Sequence, residues 1–289
     1  MTVDADRPGP EPVDPTGGGD APVDGWRPLT EGRQAEVFLR PDGRVVKLMR
    51  DDRGGPWIQR EATAMRALRE QGVPVPAVVE IVEVDGRAGL VMERVEGRDL
   101  FQVLGARPWL TTVLGRRMGA LHAAVHARDA PGDLPRLHDF LEQWITDAGP
   151  LSSAQRRSAL DALADVPTGD RLAHGDFHLG NLIGEADDPV IIDWGGATRA
   201  DPVADVAQTV LLHRVGQPGP GTPRLVRTLA PVGAWALGAA YLAGYRQVTP
   251  VDRAATEAWI PVLADARLYH GIVEEEPGLR RIVRRAFGS

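Results

Sequence analysis

Residues 174–181 have the residue types that phosphoryl transfer requires, and they read His-Gly-Asp-Phe-His-Leu-Gly-Asn. An aspartate such as Asp176, within hydrogen-bond reach of an acceptor hydroxyl, can orient that hydroxyl and take its proton. Asn181 and Asp193, which follows the apolar segment 190–192, offer the hard oxygen ligands that suit Mg²⁺ and not zinc. Asp176 and Asn181 also have the spacing of the protein-kinase catalytic loop. The pattern therefore predicts transfer of the γ-phosphoryl group of a magnesium-bound nucleotide to a hydroxyl.

The region before this loop has the pattern of a small sheet that carries one helix. Strands are predicted at 37–39, 45–49, 77–84 and 87–92, and a helix at 58–71. The last two strands flank Asp85-Gly86, which is a strong hairpin signal. The helical pattern is rich in Ala, Glu, Arg and Leu and is ended by Gly72.

From Glu96 onward helical patterns dominate. Helices are predicted at 110–128, 137–164, 204–215, 224–247, 252–276 and 279–287, and a β-rich passage at 171–193. Residues 1–24 are rich in Pro, Gly and Asp and are predicted to form a disordered tail. The sequence thus predicts a small β-rich lobe joined to a larger helical lobe, with the polar motifs where the two meet.

The run at 174–181, together with Ile-Ile-Asp-Trp at 191–194, resembles the signature of the aminoglycoside phosphotransferase family. The resemblance extends from about Trp26 onward. It implies a bilobal, protein-kinase-like α+β fold, with a nucleotide-binding lobe at residues 25–95 and a helical lobe at 96–289 that holds the catalytic loop and the acceptor site. It also implies ATP or GTP as the nucleotide and a small hydroxyl compound as the acceptor. That acceptor would be an aminoglycoside or other antibiotic, or a sugar or amino alcohol in a metabolic kinase.

Position by position, the resemblance makes Asp176 the catalytic base and Asn181 and Asp193 the magnesium ligands. Lys47, on the strand at 45–49, would hold the nucleotide phosphates. Glu61, on the following helix, would pair with Lys47 and keep it in place.

The rest of the nucleotide site is assigned by position in the resemblance rather than by a motif of its own. Glu93 and Val95 lie in the hinge whose backbone would meet the adenine. Gly32 is the single glycine of the loop at 31–36, which would cover the phosphates, where kinases have a glycine-rich pattern. Asp205 resembles the acidic residue that braces the catalytic loop from a helix start.

The bulk composition excludes several other classes. The 289 residues include no cysteine, which excludes disulfides, thiol catalysis and thiolate metal sites. The net charge of −7 argues against nucleic acid as a partner and slightly favours a cationic acceptor, for which Glu142, Glu257 and Asp265 are candidate contacts. Neither a secretory signal nor a membrane span is predicted, so we expect a cytoplasmic location. We also expect a monomer or a homodimer.

Two rival functions can be weighed on the same residues. A protein kinase needs a long activation segment after its metal-binding aspartate, but Asp201-Pro202 follows Asp193 almost at once, and Gly175 replaces the arginine of the protein-kinase loop. A catalytically inactive binding module would have lost the base, a metal ligand or the lysine, and the sequence retains all of them.

Other conspicuous residues favour structural roles. His122 and His126 have the spacing of metal ligands on a helix, but packing near the site is favoured because the glutamate of a metalloprotease motif is missing. His178 is interpreted as fixing the loop. The tryptophans at 109, 144, 235 and 259 are predicted to be core residues.

Overall fold

The computed structural model describes residues 23–148, 152–185, 188–216 and 224–288, so residues 1–22 of the predicted tail lie outside the described residues. Its first part is a five-stranded antiparallel sheet with the order β1-β2-β3-β5-β4. The strands are β1 (Arg27–Glu31), β2 (Ala35–Leu39), β3 (Val45–Met49), β4 (Val78–Val84) and β5 (Arg87–Met92). Helix α1 (Gly55–Glu70) connects β3 to β4. The sequence did not predict β1, because none of its residues is buried and the strand has no apolar alternation.

The two faces of the sheet are buried differently. Successive side chains of a strand point to opposite faces. Phe38, Val46, Leu48 and Val91 form a small core with Trp26 on one face. Met49 and Leu90 join the buried side chains of α1 in the main core. The predicted hairpin is confirmed, since Asp85 and Gly86 both have positive φ, at 51° and 74°, as a type I′ turn requires.

The second part is mainly helical. Its helices are α2 (Leu100–Ala106), α3 (Thr111–His126), α4 (Leu137–Asp147), α5 (Ser153–Asp165), α6 (Pro202–Val215), α7 (Arg224–Val248), α8 (Arg253–Arg267) and α9 (Glu276–Phe287). Two small antiparallel sheets pair β6 (Arg171–Ala173) with β9 (Thr198–Ala200) and β7 (Leu182–Ile183) with β8 (Val190–Ile191). These sheets hold the loop at 174–181 and Asp193. Within the described chain, none of the helices has the length and apolarity that a membrane crossing needs.

Two predicted helices have the wrong extent, and α2 was not predicted. The helix predicted at 252–276 ends at Arg267, where a 3₁₀ turn (Leu268–His270) leads to Gly271 with φ 61°. That left-handed residue ends the helix because it cannot continue the right-handed backbone. The helix predicted at 137–164 is two helices, since Ser152 caps α5 and forms a capping box with Gln155.

The prediction that four tryptophans lie in the core is wrong for two of them. Trp259 is buried and Trp144 is half-buried, but Trp109 is 73% exposed and Trp235 is 74% exposed. Trp109 sits in a 3₁₀ turn that buries none of its residues. Trp235 lies on the side of α7 opposite the buried Leu237 and Tyr241.

Candidate active site

Lys47 binds two carboxylates, one on α1 and one in the helical part of the chain. Because β3 alternates, the side chain of Lys47 leaves the face that buries Val46 and Leu48 and points toward α1. Its Nζ donates to Glu61 Oε2 at 2.8 Å and to Asp193 Oδ1 at 2.5 Å. Lys47 is also the single lysine in the sequence. The predicted pair of Lys47 and Glu61 is therefore present, and it is joined by the aspartate that was predicted to bind metal.

The three groups shift one another's protonation. Burial alone would lower the pKa of Lys47, but the negative charges of Glu61 and Asp193 outweigh it and raise that pKa. Burial would raise the pKa of Asp193, but the Lys47 ammonium holds it below its usual value. Both Lys47 and Asp193 are therefore charged at neutral pH. An ammonium shared between two carboxylates is a pre-placed cation that phosphate oxygens can share.

We expect Lys47→Ala to weaken productive nucleotide binding strongly and Glu61→Ala to weaken it less, because Glu61 acts only by holding Lys47. The double variant should cost little more than Lys47→Ala, with a coupling energy on the order of 1 kcal/mol. Calorimetric titration with magnesium nucleotide measures the three losses. Lys47→Arg is the control that keeps the charge and changes its geometry. Additive losses would contradict the pairing.

The catalytic loop is fixed from both of its ends. Asn181 Nδ2 donates to the backbone oxygen of Asp176 at 2.9 Å, and the Ile192 N–H donates to the backbone oxygen of Asn181 at 3.0 Å. The His174 ring also bridges to the next strand, because its Nε2 donates to the Ile192 oxygen while its Nδ1 accepts from the Asp176 N–H. The segment that ends at Asp193 is thus hydrogen-bonded to the loop that contains Asp176.

His178 contacts the predicted base directly. The Gly180 N–H donates to His178 Nδ1 at 3.0 Å, so the other ring nitrogen, Nε2, carries the hydrogen and points to Asp176 Oδ2 at 3.4 Å. Burial would raise the pKa of Asp176, but His178, together with Arg267, lowers it below its usual value. Burial would lower the pKa of His178, and Asp176 reverses this and raises it. The contact keeps Asp176 ionised and leaves its Oδ1 for another partner.

Asp205 braces the loop from α6, as the resemblance implied. Its Oδ2 accepts the N–H of His174 at 2.5 Å and its Oδ1 accepts the N–H of Gly175 at 3.0 Å, immediately before Asp176. Oδ2 also lies 3.0 Å from His122 Nε2 and 3.2 Å from His126 Nε2. A carboxylate can only accept, so both imidazoles carry their hydrogen on Nε2.

Two tyrosines complete this network. Since the Nε2 atoms donate, the Nδ1 atoms accept, and the hydroxyls of Tyr241 and Tyr245 donate to His122 and His126 at 2.7 and 2.8 Å. The three ligand atoms of His122, His126 and Asp205 lie within 4.8 Å of one another, close enough for a metal ion. The hydrogen bonds described above nevertheless give each ring nitrogen of the two histidines a partner without a metal ion. Both histidines are buried beside the loop, in agreement with their interpretation as packing residues near the site.

Close helix packing brings these groups together. A Cβ on Gly119 of α3 would collide with the backbone of Tyr241 on α7, and a Cβ on Gly244 of α7 would collide with the backbone of Arg116. The two glycines therefore allow the near approach that the tyrosine–histidine hydrogen bonds require.

Asp193 has a backbone conformation that only a few residue types tolerate. Its φ is 62° and its ψ is 61°, and it is followed by a 3₁₀ turn, Trp194–Gly196. A left-handed non-glycine residue costs roughly 1–2 kcal/mol, a cost least unfavourable for Asn and Asp. Gly175 has φ 82°, and a Cβ there would lie 2.6 Å from the Gly196 oxygen. The glycines thus let the turn that follows Asp193 pack directly against the loop that contains Asp176.

Asn181 and Asp193 can hold a magnesium ion. The Asn181 amide nitrogen is used on the loop, which leaves its oxygen, and Lys47 occupies one of the two carboxylate oxygens of Asp193. The donor set contains only oxygen, as Mg²⁺ prefers. The negative charge of Asp176 also acts on Asp193, so a cation between them would relieve that repulsion.

The remaining predicted nucleotide contacts lie in a turn and a link at the ends of strands. Gly32 lies in the turn between β1 and β2, where its N–H donates to the Ala35 oxygen at 2.8 Å. Glu93 follows β5, and its N–H donates to the Ala77 oxygen at 2.9 Å. Val95 is two residues further along the link to α2. Their contacts with nucleotide stay predictions.

Two of the three acidic residues predicted as acceptor contacts, Glu257 and Asp265, do not line an open pocket for a cation. Asp265 has no exposed surface, and Glu257 pairs with Arg214 at 2.5 and 2.9 Å on a solvent-facing surface. Arg267, at the end of α8, is one of the charged groups that lower the pKa of Asp176, and the charge of Asp176 acts in turn on the nearby His270. Sequence reasoning missed both, since neither belongs to a motif.

Buried imidazoles predict acid lability. Burial lowers the pKa of His122 to about 3 and also lowers that of His174, while the unfolded state has the ordinary value near 6.5. Below pH 6.5 the unfolded state therefore binds protons at these histidines that the folded state does not bind. The free energy of unfolding consequently decreases as the pH is lowered. Each of these two groups contributes up to about 1.4 kcal/mol per pH unit.

One buried carboxyl opposes this trend. Burial raises the pKa of Asp265 to about 7, so between pH 7 and 4 the folded state holds a proton that the unfolded state lacks. We expect the melting temperature to fall between pH 6.5 and 4.5, and to fall more steeply in Asp265→Asn. Thermal unfolding across this range measures both slopes. A flat profile in the wild type would contradict the assignment of neutral buried histidines.

The fold and the site together define a kinase-like small-molecule phosphotransferase. The chain belongs to the phosphotransferase enzyme family (APH), whose family model matches residues 25–251. This is a family of phosphotransferase enzymes, and the resemblance seen in the sequence is confirmed.

Solved structures with this fold include several aminoglycoside phosphotransferases. A thermostable mutant of APH(4)-Ia in a ternary complex with AMP-PNP and hygromycin B has 19% identity and a TM-score of 0.64, with 92% of this chain and 95% of that chain covered. The GDP and kanamycin complex of APH(2")-IIia has 17% identity and a TM-score of 0.58, with 92% and 93% covered. APH(3'')-Id from Streptomyces rimosus has 22% identity and a TM-score of 0.53, with 84% and 92% covered. At these identities the likeness shows the fold alone.

A curated relative covers part of the chain. Acyl-CoA dehydrogenase family member 10 of Mus musculus is 27% identical over 204 residues, which are 63% of this chain and 18% of that protein. The match therefore spans less than a fifth of the relative's length.

Proposed function

We propose that this protein transfers the γ-phosphoryl group of ATP or GTP to a hydroxyl of a small acceptor, with Asp176 as the base. The observation that carries the proposal is the continuous unit in which Lys47 binds Asp193 and Asn181 ties the strand before Asp193 to the loop of Asp176. This unit joins a cation for phosphates, oxygen ligands for a metal and a base for a hydroxyl.

The nucleotide would lie between the sheet and the helical part. Lys47 holds its phosphates, and the turn at Gly32 covers them. The backbone of Glu93 and Val95 contacts the purine ring of the nucleotide. Magnesium held by Asn181 and Asp193 would neutralise phosphate charge and align the γ-phosphoryl group.

The acceptor hydroxyl would approach Asp176 from the side away from His178. Because the Nε2 hydrogen of His178 engages Oδ2, we assign Oδ1 as the oxygen that takes the hydroxyl proton. As the acceptor oxygen bonds to the γ-phosphorus, the bond from that phosphorus to the β–γ bridging oxygen breaks and the nucleoside diphosphate leaves.

A nucleotide-consumption screen tests the proposal. The panel contains aminoglycosides, other antibiotics, amino alcohols, sugars and aromatic alcohols, each with ATP and with GTP, and a generic protein substrate. Hygromycin B and kanamycin belong in it because structural neighbours bind them. We expect magnesium-dependent turnover with a small alcohol. Phosphorylation of the protein substrate alone would overturn the acceptor class, and nucleotide binding without turnover on any acceptor would indicate a binding module.

A further inference from the structure

Four aromatic rings form a continuous stack that runs from α1 to the turn after α8. Trp57 stacks on Phe140 at 6.5 Å, Phe140 on Trp144 at 5.4 Å, and Trp144 on Tyr269 at 6.2 Å, with interplanar angles of 20°, 21° and 18°. The rings come from three separate elements, α1, α4 and the 3₁₀ turn that contains Tyr269. None of the functions assigned above uses them.

The two ends of the stack differ. At the α1 end the guanidinium of Arg60 lies 4.4 Å from the Trp57 ring and 4.7 Å from the Phe140 ring, so a cation already occupies these two rings. At the other end Tyr269 is 44% exposed. This end is therefore the one that offers ring surface to a ligand.

The segment that starts at the exposed end contacts the predicted phosphate-covering turn and lies within the electrostatic reach of Asp176. The next residue, His270, packs edge-on against Trp144 at 4.8 Å, and the charges of both Asp176 and Arg33 act on it. Glu274, four residues further on, lies 3.6 Å from Arg33 in the turn between β1 and β2. Arg33, from the predicted phosphate-covering turn, thus contacts the segment that starts at Tyr269, and the charge of Asp176 acts on the same segment.

The charged side chains around this segment are paired. Glu275 binds Arg267 through two hydrogen bonds of 2.5 and 2.9 Å, and Glu274 faces Arg33. A polycationic acceptor would have to compete with these two arginines for the carboxylates. Stacked rings instead favour a flat ring, which gains about 0.5–1.5 kcal/mol beyond its buried area from an offset or edge contact.

We infer that the acceptor is an alcohol with a flat aromatic or conjugated ring, which stacks on Tyr269 while its hydroxyl reaches Asp176. This inference rests on the proposed function and adds the substrate class to it. Acceptor specificity would then depend on Tyr269, which lies more than 90 positions after Asp176 in the sequence. It would also depend on Trp144, which lies on the separate helix α4.

Matched acceptors test the ring. The set is 2-phenylethanol, its saturated analogue 2-cyclohexylethanol, choline and kanamycin, all assayed at saturating nucleotide. We expect kcat/KM to be higher for the phenyl than for the cyclohexyl compound by about 3- to 10-fold, the equivalent of one aromatic contact. Equal values for the two compounds, or a preference for choline or kanamycin, would overturn the inference.

Variants locate the contact. Tyr269→Leu should abolish the preference for the phenyl compound and leave the nucleotide KM unchanged. Trp235→Leu, which removes a ring that is 74% exposed on α7, is the matched control and should keep the preference. The same loss in both variants would show that the preference does not arise at Tyr269.

A binding measurement separates this inference from the proposed function. Saturation-transfer NMR between 2-phenylethanol and the protein with magnesium nucleotide requires no turnover. Transfer that is present in the wild type and lost in Tyr269→Leu would support the ring contact even if no acceptor were phosphorylated. Transfer that Tyr269→Leu leaves unchanged would overturn it.

Discussion

Asp176→Asn is expected to lower turnover by a factor on the order of 10² or more, because the amide cannot take the acceptor proton and orients the hydroxyl differently. The substitution keeps the shape of the side chain, and the hydrogen bond from Asn181 reaches the backbone oxygen of residue 176, which is unchanged. Nucleotide affinity and melting temperature should therefore stay near their wild-type values. Steady-state turnover with the best acceptor measures the expected loss of activity, and calorimetric titration measures whether nucleotide affinity is retained.

The matched control for this prediction is Asp170→Asn. The side chain of Asp170 is 67% exposed and pairs with Arg136 and Arg199, so turnover should be unchanged. The Asp176 variant has a second readout at His178, whose raised pKa should fall when the neighbouring negative charge is removed. Acceptor-dependent turnover that survives in Asp176→Asn would remove the assignment of the base.

Asp193→Ala is expected to abolish turnover and to weaken magnesium-dependent nucleotide binding by about 100-fold or more. Loss of a residue that only supports a metal ligand already costs about 10- to 100-fold, and here a charged ligand itself is lost. Alanine is also strained at φ 62°, so part of the effect will be structural.

Asp193→Asn separates the two contributions. Asparagine tolerates the left-handed backbone and keeps one oxygen, but it lacks the charge that binds Lys47 and the metal. We expect this variant to melt close to the wild type and to need far more magnesium for nucleotide binding in a calorimetric titration. Near-normal turnover of either variant at low magnesium would show that the metal is held elsewhere.

Local signals predicted most of the sheet. The Asp85-Gly86 turn, the alternation in β3 and the helix ended by Gly72 all appear in the structure, because each depends on neighbours in sequence. The helical part was predicted less well at its breaks. The helix end at Arg267 depends on the left-handed Gly271, and a glycine in a helical pattern does not reveal its φ from sequence alone. The start of α5 did carry a signal, the capping box at Ser152, which the prediction of one continuous helix at 137–164 overlooked.

The burial of individual side chains was predicted less reliably than the elements. Trp109 and Trp235 have the size of core residues, yet they face away from the helices that pack nearby. Which side of a helix is covered depends on its partners, and the partners of α7 are chosen by close contacts at positions such as Gly119 and Gly244.

The sequence by itself determined which chemistry we propose for this protein, because the proposed base and the proposed metal ligands lie within one short segment whose turns fix their spacing. Asp176, Asn181 and Asp193 could be found there without any knowledge of the fold. Only the tertiary structure decided what surrounds them. Lys47 meets Asp193 across 146 positions, and the tyrosines of α7 meet the histidines of α3 across 119. Such contacts arise from the packing of whole helices and sheets, and a sequence pattern records the faces that pack but not the partner each face will meet.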